Sequence, residues 1–319
     1  MRGSWSDACL VLERDGRRVL LANSQSWAIG RSDGCAVVLD SRSVSRLHAL
    51  VQRIEGGDYC LIDLGSRNGS FVNGRRVTIP VTLQDGDRIV FGDERLSFHR
   101  PDAVVSSASQ EIGLRNAPTE ALMTQTTATI VVVDIRDFTP LARSVSEEVL
   151  SQTVGTWFLR VGEVAQALGS WAQKYIGDAV MAVWVHDHTG VRRRDLVPPL
   201  EAICRIEAAT AGISGTLPLP GRLRIGAGVN TGPVILGNAD YTALGETVNV
   251  AFRLEDATKS LGLGVAVGES TFQALGLESV ERTRFQRREV RLKGYDAAST
   301  AWAISFDDLW RFCESSRDV

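Results

Sequence analysis

The sequence predicts a multidomain protein, an all-β sandwich followed by an α+β domain. Three observations predict it. Residues 7–100 carry short apolar segments separated by Asn-Gly and Asp-Gly turns. Residues 101–127 are rich in Ser, Ala and Thr and have no sustained apolar period, so they read as a linker. From Ala128 onward, apolar runs alternate with stretches of helical spacing. The expected division is therefore 1–100, a linker over 101–127, a second domain over 128–306 and a tail over 307–319. A length of 319 residues suits two domains of ordinary size.

In the first domain the apolar segments 9–12, 19–21, 36–39, 47–51, 59–62 and 89–91 are the expected strands. Gly56-Gly57-Asp58, Asn68-Gly69, Asn73-Gly74 and Asp85-Gly86-Asp87 lie between them and supply the positive φ that tight turns need. No amphipathic helix of useful length interrupts the series, which favours a sandwich. The linker offers at most a short helix around 120–124.

The second domain opens with a buried strand over 128–134. A helix follows over 146–168, with Ser146 as N-cap, Glu147 and Glu148 in the first turn and Gly169 as the stop. Segments 171–176 and 179–185 form a hairpin about Gly177-Asp178. Next come a helix over 200–213, strands over 223–230 and 234–237, and a helix over 246–259.

Composition narrows the function. Hydrophobic residues make up 44% and charged residues 23%, as in globular proteins. A net charge of -3 gives no basic face for nucleic acid. The longest apolar run near the middle, 130–133, is far short of the ~20 residues that span a bilayer. The N-terminus has early acids and no apolar core, unlike a signal peptide. Five scattered cysteines, never in a C-x-x-C pair, argue for a reducing compartment, so the expected location is cytoplasmic, with no membrane partner. His186 and His188 read as solvated side chains of a polar loop.

Three loops of the first domain concentrate unusual polar residues: Gly30-Arg31-Ser32, the run Ser43 to Ala49, and Ser66 to Ser70. Any one of them alone reads as turn chemistry. Together they present Arg, Ser and Asn from a rigid sandwich, a set suited to gripping phosphate. The series GRSDGCAVVLD, SVSRLHA, DLGSRNGSFVNG and LQDGDRIVFG resembles the forkhead-associated (FHA) family over nearly the whole domain. The resemblance implies that Arg31, Ser45, Arg46 and Asn68 contact a phosphothreonine. It also implies that His48 holds the loop, that Gly30 permits a close turn, and that Ser66 and Arg67 lie beside the pocket.

In the second domain Asp134 ends an apolar run and Asp178 sits at a hairpin tip. If their elements are sheet neighbours, two carboxylates meet at one edge, a set that suits hard Mg²⁺ ions completed by substrate phosphates. An isolated Asp at a strand end or turn is the commoner case. The words around them are VVVDIRDFTPLA, KYIGDAVMAVW, GAGVNTGPVILGN, YTALGETVNVAFRLE and VRLKGY, in that order from 131 to 295. They resemble the class III nucleotidyl cyclases, whose fold is ferredoxin-like α+β.

That resemblance implies an adenylyl cyclase. Asp134 and Asp178 are implied as ligands of two Mg²⁺ or Mn²⁺ ions, with the Ile135 carbonyl as a further ligand. The backbone of 137–139, with Phe138 and Thr139, is implied to cradle the phosphates of ATP. Lys174 takes the purine-reading position, where guanylyl cyclases favour an acid. Thr242 fills the second purine position, where many adenylyl cyclases carry Asp, and this variant resembles the bicarbonate-responsive subgroup. Asn249 is implied to orient the ribose, Arg253 to stabilise charge on the α-phosphate and Lys293 to pair with the terminal phosphates.

Independently of the family, Asn249 and Arg253 stand four apart on a predicted helix and share a face. The plainer alternatives are an ion pair of Arg253 with Glu246 or Glu255, and a solvated strand lysine at 174. The family builds each site across a homodimer, and this chain holds both sets of residues. The rivals are a guanylyl cyclase, which Lys174 disfavours, and a phosphopeptide-binding scaffold whose second half only dimerises. The first domain's partner is a phosphothreonine protein or the chain's own linker, where Leu122 follows Thr119 by three residues.

Overall fold

The computed structural model describes residues 8–54, 57–100, 123–186, 190–237, 242–290 and 299–316. The chain divides into two compact units. The first contains eleven strands: β1 (Cys9–Leu12), β2 (Arg18–Leu20), β3 (Ser26–Gly30), β4 (Val37–Val38), β5 (Ala49–Arg53), β6 (Tyr59–Asp63), β7 (Ser70–Val72), β8 (Arg75–Arg76), β9 (Val81–Leu83), β10 (Arg88–Phe91) and β11 (Glu94–His99). They form two sheets, ordered β2-β1-β11-β10-β7-β8 and β4-β3-β5-β6-β9. Leu10, Leu12, Phe91 and Phe98 from one sheet and Ile29, Val51 and Leu61 from the other join a single apolar core. This is the expected sandwich. Five of its strands, β3, β7, β8, β9 and β11, had no counterpart among the expected apolar runs. β11 shows why: Glu94, Leu96 and Phe98 point inward while Arg95 is exposed, so its signal is alternation rather than a run.

The second unit follows the order β12 (Met123–Ile135), α1 (Phe138–Ser144), α2 (Glu147–Ala167), β13 (Ala172–Ile176), β14 (Ala179–His186), α3 (Arg193–Ser214), β15 (Ile225–Gly237), β16 (Thr242–Leu244), α4 (Glu246–Leu261), β17 (Val265–Gly268), α5 (Glu269–Ala274), α6 (Ser279–Arg282), β18 (Gln286–Val290), β19 (Ser299–Ile304) and α7 (Phe306–Ser315). Its sheet runs β13-β14-β12-β15-β17-β19-β18, with β16 paired to β15. The pairing is mixed: β15 and β17 are parallel, while β12 and β14 are antiparallel. Ser146 caps α2 as expected, its hydroxyl accepting from the Val149 amide.

Five expectations need correction. α3 begins seven residues before the expected 200, ahead of Pro198 and Pro199. The Asp195 carboxylate accepts from the Arg192 amide, and Leu196, Pro199 and Leu200 are buried, so packing outweighs the two missing backbone donors. The two strands expected over 223–230 and 234–237 are one, β15. Its central carbonyl groups at Thr231 and Pro233 accept from the Ser270 and Thr247 hydroxyls, so the Gly-Pro step stays extended. The tail over 307–319 contributes α7, capped by Ser305 and packed on α3 through buried Leu309, Phe312 and Cys313. His186 is not a solvated loop residue; it ends β14, is buried, and lies 2.7 Å from the Thr129 hydroxyl. The short helix expected around 120–124 is not formed at 123–124, where β12 has already begun, so the strand starts inside the expected linker; 120–122 and His188 fall outside the described residues.

α4 lies directly on β15. A Cβ at Gly228 would run into the Ala251 carbonyl and the Glu255 amide of α4, and one at Gly232 would come within 2.8 Å of the Thr247 hydroxyl. Among the described residues the cysteines are free thiols, and no helix is long and apolar enough to cross a membrane.

Candidate functional site

In the first unit the three polar loops converge through backbone ties. The Arg31 and Ser32 amides donate to the Ser45 and Arg46 carbonyls at 2.9 and 3.0 Å. That approach is possible because residue 30 is glycine; a Cβ there would strike the Arg46 carbonyl. The Ser45 amide donates to His48 Nδ1 at 3.1 Å, and the buried His48 ring reaches the Gly69 carbonyl with Nε2 at 3.3 Å. Burial lowers the His48 pKa, which keeps the ring neutral and able to accept from Ser45. The Arg67 amide donates to the Ser45 hydroxyl, and Asn68 Nδ2 donates to the Ser43 carbonyl at 2.6 Å. Arg31, Arg46, Arg67 and Asn68 remain exposed. Ser66 does not lie open beside them: it is buried, and its hydroxyl donates to Asp63 at 2.7 Å.

In the second unit β12 and β14 pair so that Asp134 faces Ala179. The β13–β14 turn thus sets Asp178 beside Asp134 at one end of the sheet. Asp134 is pushed up to about 6, first by burial and then by the negative charge of Asp178. Lys259 Nζ stands 3.8 Å from Asp134 Oδ2 and 3.0 Å from Asp256 Oδ1. Glu255 is buried against Arg136 at 3.4 Å and is pushed up to about 7 by its burial and by Asp134.

After Asp134 the chain turns sharply. Ile135 is buried, and Asp137 adopts φ 55, a left-handed conformation uncommon outside glycine. Arg224 holds this turn twice: its carbonyl accepts from the Arg136 amide at 2.8 Å, and its guanidinium donates to Asp137 at 2.7 Å. Phe138 and Thr139 then open α1. A cleft of about 640 Å³ beside the turn is lined by Arg136, Asp137, Arg224 and Lys259 among others.

Lys174 lies on β13 opposite Met181 and is buried rather than solvated. Asn249 is exposed on α4, with Arg253 half-buried one turn on. Glu255 pairs with Arg136 rather than with Arg253. Thr242 begins β16. Lys293 and Thr119 fall outside the described residues. Sequence reasoning passed over Arg136 and Lys259 and weighed Glu255 only as a partner of Arg253. The available signals were the position of Arg136 between Asp134 and Asp137, and the four-residue spacing of Glu255 and Lys259 on one helix face.

Comparison with known proteins covers both units. Residues 27–92 match the FHA domain model, and residues 122–305 match the model of the adenylate and guanylate cyclase catalytic domain. An adenylate cyclase from Anabaena cylindrica is 25% identical over 277 residues, covering 83% of this chain and 54% of that protein. The glycogen accumulation regulator GarA of Mycolicibacterium smegmatis is 39% identical over 94 residues, covering 28% of this chain and 58% of that protein. The chain spans about half the length of the curated relatives it matches. The crystal structure of adenylyl cyclase CyaB from P. aeruginosa is 21% identical with a TM-score of 0.48, covering 57% of this chain and 95% of that one.

The buried acids give this unit a pH signature. Unfolded Asp and Glu titrate near about 3.9 and 4.3, whereas folded Asp134 and Glu255 titrate near about 6 and 7. Between these limits the folded state binds more protons than the unfolded state. The contribution of these two acids to the stability of the metal-free protein therefore falls as pH rises from about 4 through about 7. Asp134→Asn should raise the melting temperature at pH 8 in chelator, and the gain should shrink towards pH 4; thermal melts across that range check it.

Proposed function

Because the chain belongs to the adenylate and guanylate cyclase family and carries an FHA domain, we propose that it converts ATP to 3′,5′-cyclic AMP and pyrophosphate under phosphothreonine control. The observation that carries this reading is the pair of carboxylates at the sheet end. Asp134 Oδ1 is buried with no hydrogen-bond partner, and Asp134 and Asp178 repel one another. Among the described residues no three His, Cys, Asp or Glu side chains gather to hold an ion. Two carboxylates plus a backbone carbonyl fit Mg²⁺ or Mn²⁺, hard ions that take their remaining oxygens from phosphates and water. Asp134, Asp178 and the Ile135 carbonyl would hold two such ions. Metal ions held there would supply a lowered pKa for the ribose 3′-hydroxyl and neutralisation of triphosphate charge.

The chain's own residues do the rest. The amides of 137–139, at Asp137, Phe138 and Thr139, cradle the triphosphate. The Lys174 ammonium donates to adenine N1, and its burial makes that donor a specific reader. Thr242 takes the other purine contact, and Asn249 orients the ribose. The 3′-oxygen attacks the α-phosphorus, the bond to pyrophosphate breaks, Arg253 stabilises the charge that develops on the α-phosphate, and Lys293 holds the departing phosphates.

The two sets of residues belong to two copies of the chain in a homodimer. Lys259 reaches Asp134 from the last turns of α4. Asn249 lies ten residues earlier on that helix, about 15 Å along its axis. In this proposed homodimer Asn249 and Arg253 serve a partner's carboxylates rather than those of their own chain.

The FHA domain reads phosphothreonine on a partner protein or on the chain's own Thr119. Exposed Arg31, Arg46 and Asn68, with Ser45, offer charge-assisted donors to phosphate on a loop frame fixed by His48. The protein works in the cytoplasm.

Two outcomes follow. Purified protein with ATP and Mn²⁺ or Mg²⁺ should release cyclic AMP, and Asp178→Ala should lower the rate by at least about a hundredfold. A product assay by chromatography checks this; full activity in a folded Asp178→Ala protein removes the two-carboxylate assignment. Arg31→Ala should weaken binding of a phosphothreonine peptide by at least about tenfold without changing the melting curve. Fluorescence titration with phosphorylated and plain peptides measures it.

A further inference from the structure

α4 carries the residues assigned to ribose and α-phosphate, yet its N-terminus lacks the usual anchor. The N-cap is Gly245, with φ 134, and no side chain caps the helix. The first turn of a helix leaves backbone donors open, and a capping Ser, Thr, Asp or Asn normally fixes its start. Two bonds to β15 tie the first turn to the sheet instead. Asn230 Nδ2 donates to the Thr247 carbonyl at 3.2 Å, and the Thr247 hydroxyl donates to the Pro233 carbonyl at 2.7 Å. Both side chains are buried.

The site is cut to the shape of Asn230. A carbonyl can only accept, so the amide nitrogen must face Thr247, and the amide oxygen faces the Ser270 hydroxyl at 3.1 Å. The single Ser270 hydroxyl hydrogen is shared with the Thr231 carbonyl, the nearer acceptor at 2.6 Å, so it is the Thr247 carbonyl that sets the amide's orientation. On the other side stands Gly268, where a Cβ would strike Asn230 Oδ1 and come within 3.3 Å of Leu254. The amide therefore has one position and one orientation, and it ties the start of α4 to the centre of the sheet.

We propose that Asn230 is a positioning residue for the reaction: through the Thr247 carbonyl it fixes the first turn of α4, and with it Asn249 and Arg253. The proposal rests on the cyclase reading above. Asn249 follows Thr247 by two residues and is exposed, so its place is set by where the helix starts. Lys174 lies on β13 and the two carboxylates on the far end of the sheet, away from this tie.

A merely structural role for Asn230 would change the folded fraction and leave each folded molecule active. A positioning role has a different signature. Asn230→Ala, assayed well below its melting temperature, should lose about 10- to 100-fold in kcat, the cost of a misplacement near 1 Å. Its KM for ATP should stay within about threefold, since the Lys174 contact with the base comes from β13 rather than from α4. Combined with Asn249→Ala, the total loss should fall well short of the product of the two single losses, because both changes act on one contact.

Thr247→Val removes the second tie while keeping the side chain's shape. It should show the same fall in kcat if Asn230→Ala does not fold. A folded variant with kcat within about twofold of the parent, or losses at Asn230 and Asn249 that multiply fully, overturns the proposal. Absence of cyclic AMP from the parent protein would instead overturn the cyclase reading, so the two failures are distinct.

Discussion

Where α4 crosses β15, a helix backbone rests on a strand backbone with glycine at the contact. Any side chain at Gly228 would strike the Ala251 carbonyl, and the helix would have to lift. Glycine in a strand costs about 0.5–1 kcal/mol relative to alanine, and the close seat is what that cost secures. With α4 held down, its last turns bring Glu255 to Arg136 and Lys259 to Asp134. Its first turns carry Asn249 and Arg253. One helix therefore reaches from the buried acids at its last turns to Asn249 and Arg253 at its first, and the Asn230 amide ties its first turn to β15.

The two units handle charge in opposite ways. In the sandwich, Asp63 accepts from the Ser66 amide and from the Ser66 and Ser70 hydroxyls, so a buried acid is satisfied and the loop it holds is stiff. The cations Arg31, Arg46 and Arg67 stay outside on that stiff frame. At the end of the second sheet Asp134 and Glu255 are buried, mutually repelling and pushed up in pKa, with an oxygen on each lacking a hydrogen bond. Such an arrangement weakens the fold and raises the affinity for a cation, a common trade between stability and function.

The sequence was most legible where local chemistry decides. The Ser146 cap and the Gly177-Asp178 turn each follow from residues a few places apart. The meeting of Asp134 with Asp178 was conditional on strand pairing, and the β12–β14 register supplies that condition. What stayed hidden depends on distant partners. α3 and α7 owe their extents to mutual burial, which no local pattern announces. His186 is polar by sequence and buried by the Thr129 hydroxyl, which comes from another strand. Asn230 lies in a motif whose glycines draw attention, while its role arises only when α4 and α5 close on either side of it.

The central claim is that one chain carries two complementary halves of a site and that a working site needs two copies. It is tested most directly by mixing Asp134→Ala protein with Asn249→Ala protein. Each alone should be nearly inactive. After subunit exchange at equal amounts, half of the dimers are mixed and each has one site with only native residues, so activity should return to about a quarter of the parent's. Mixed dimers that form, as seen by native mass spectrometry, yet make no cyclic AMP would contradict the account.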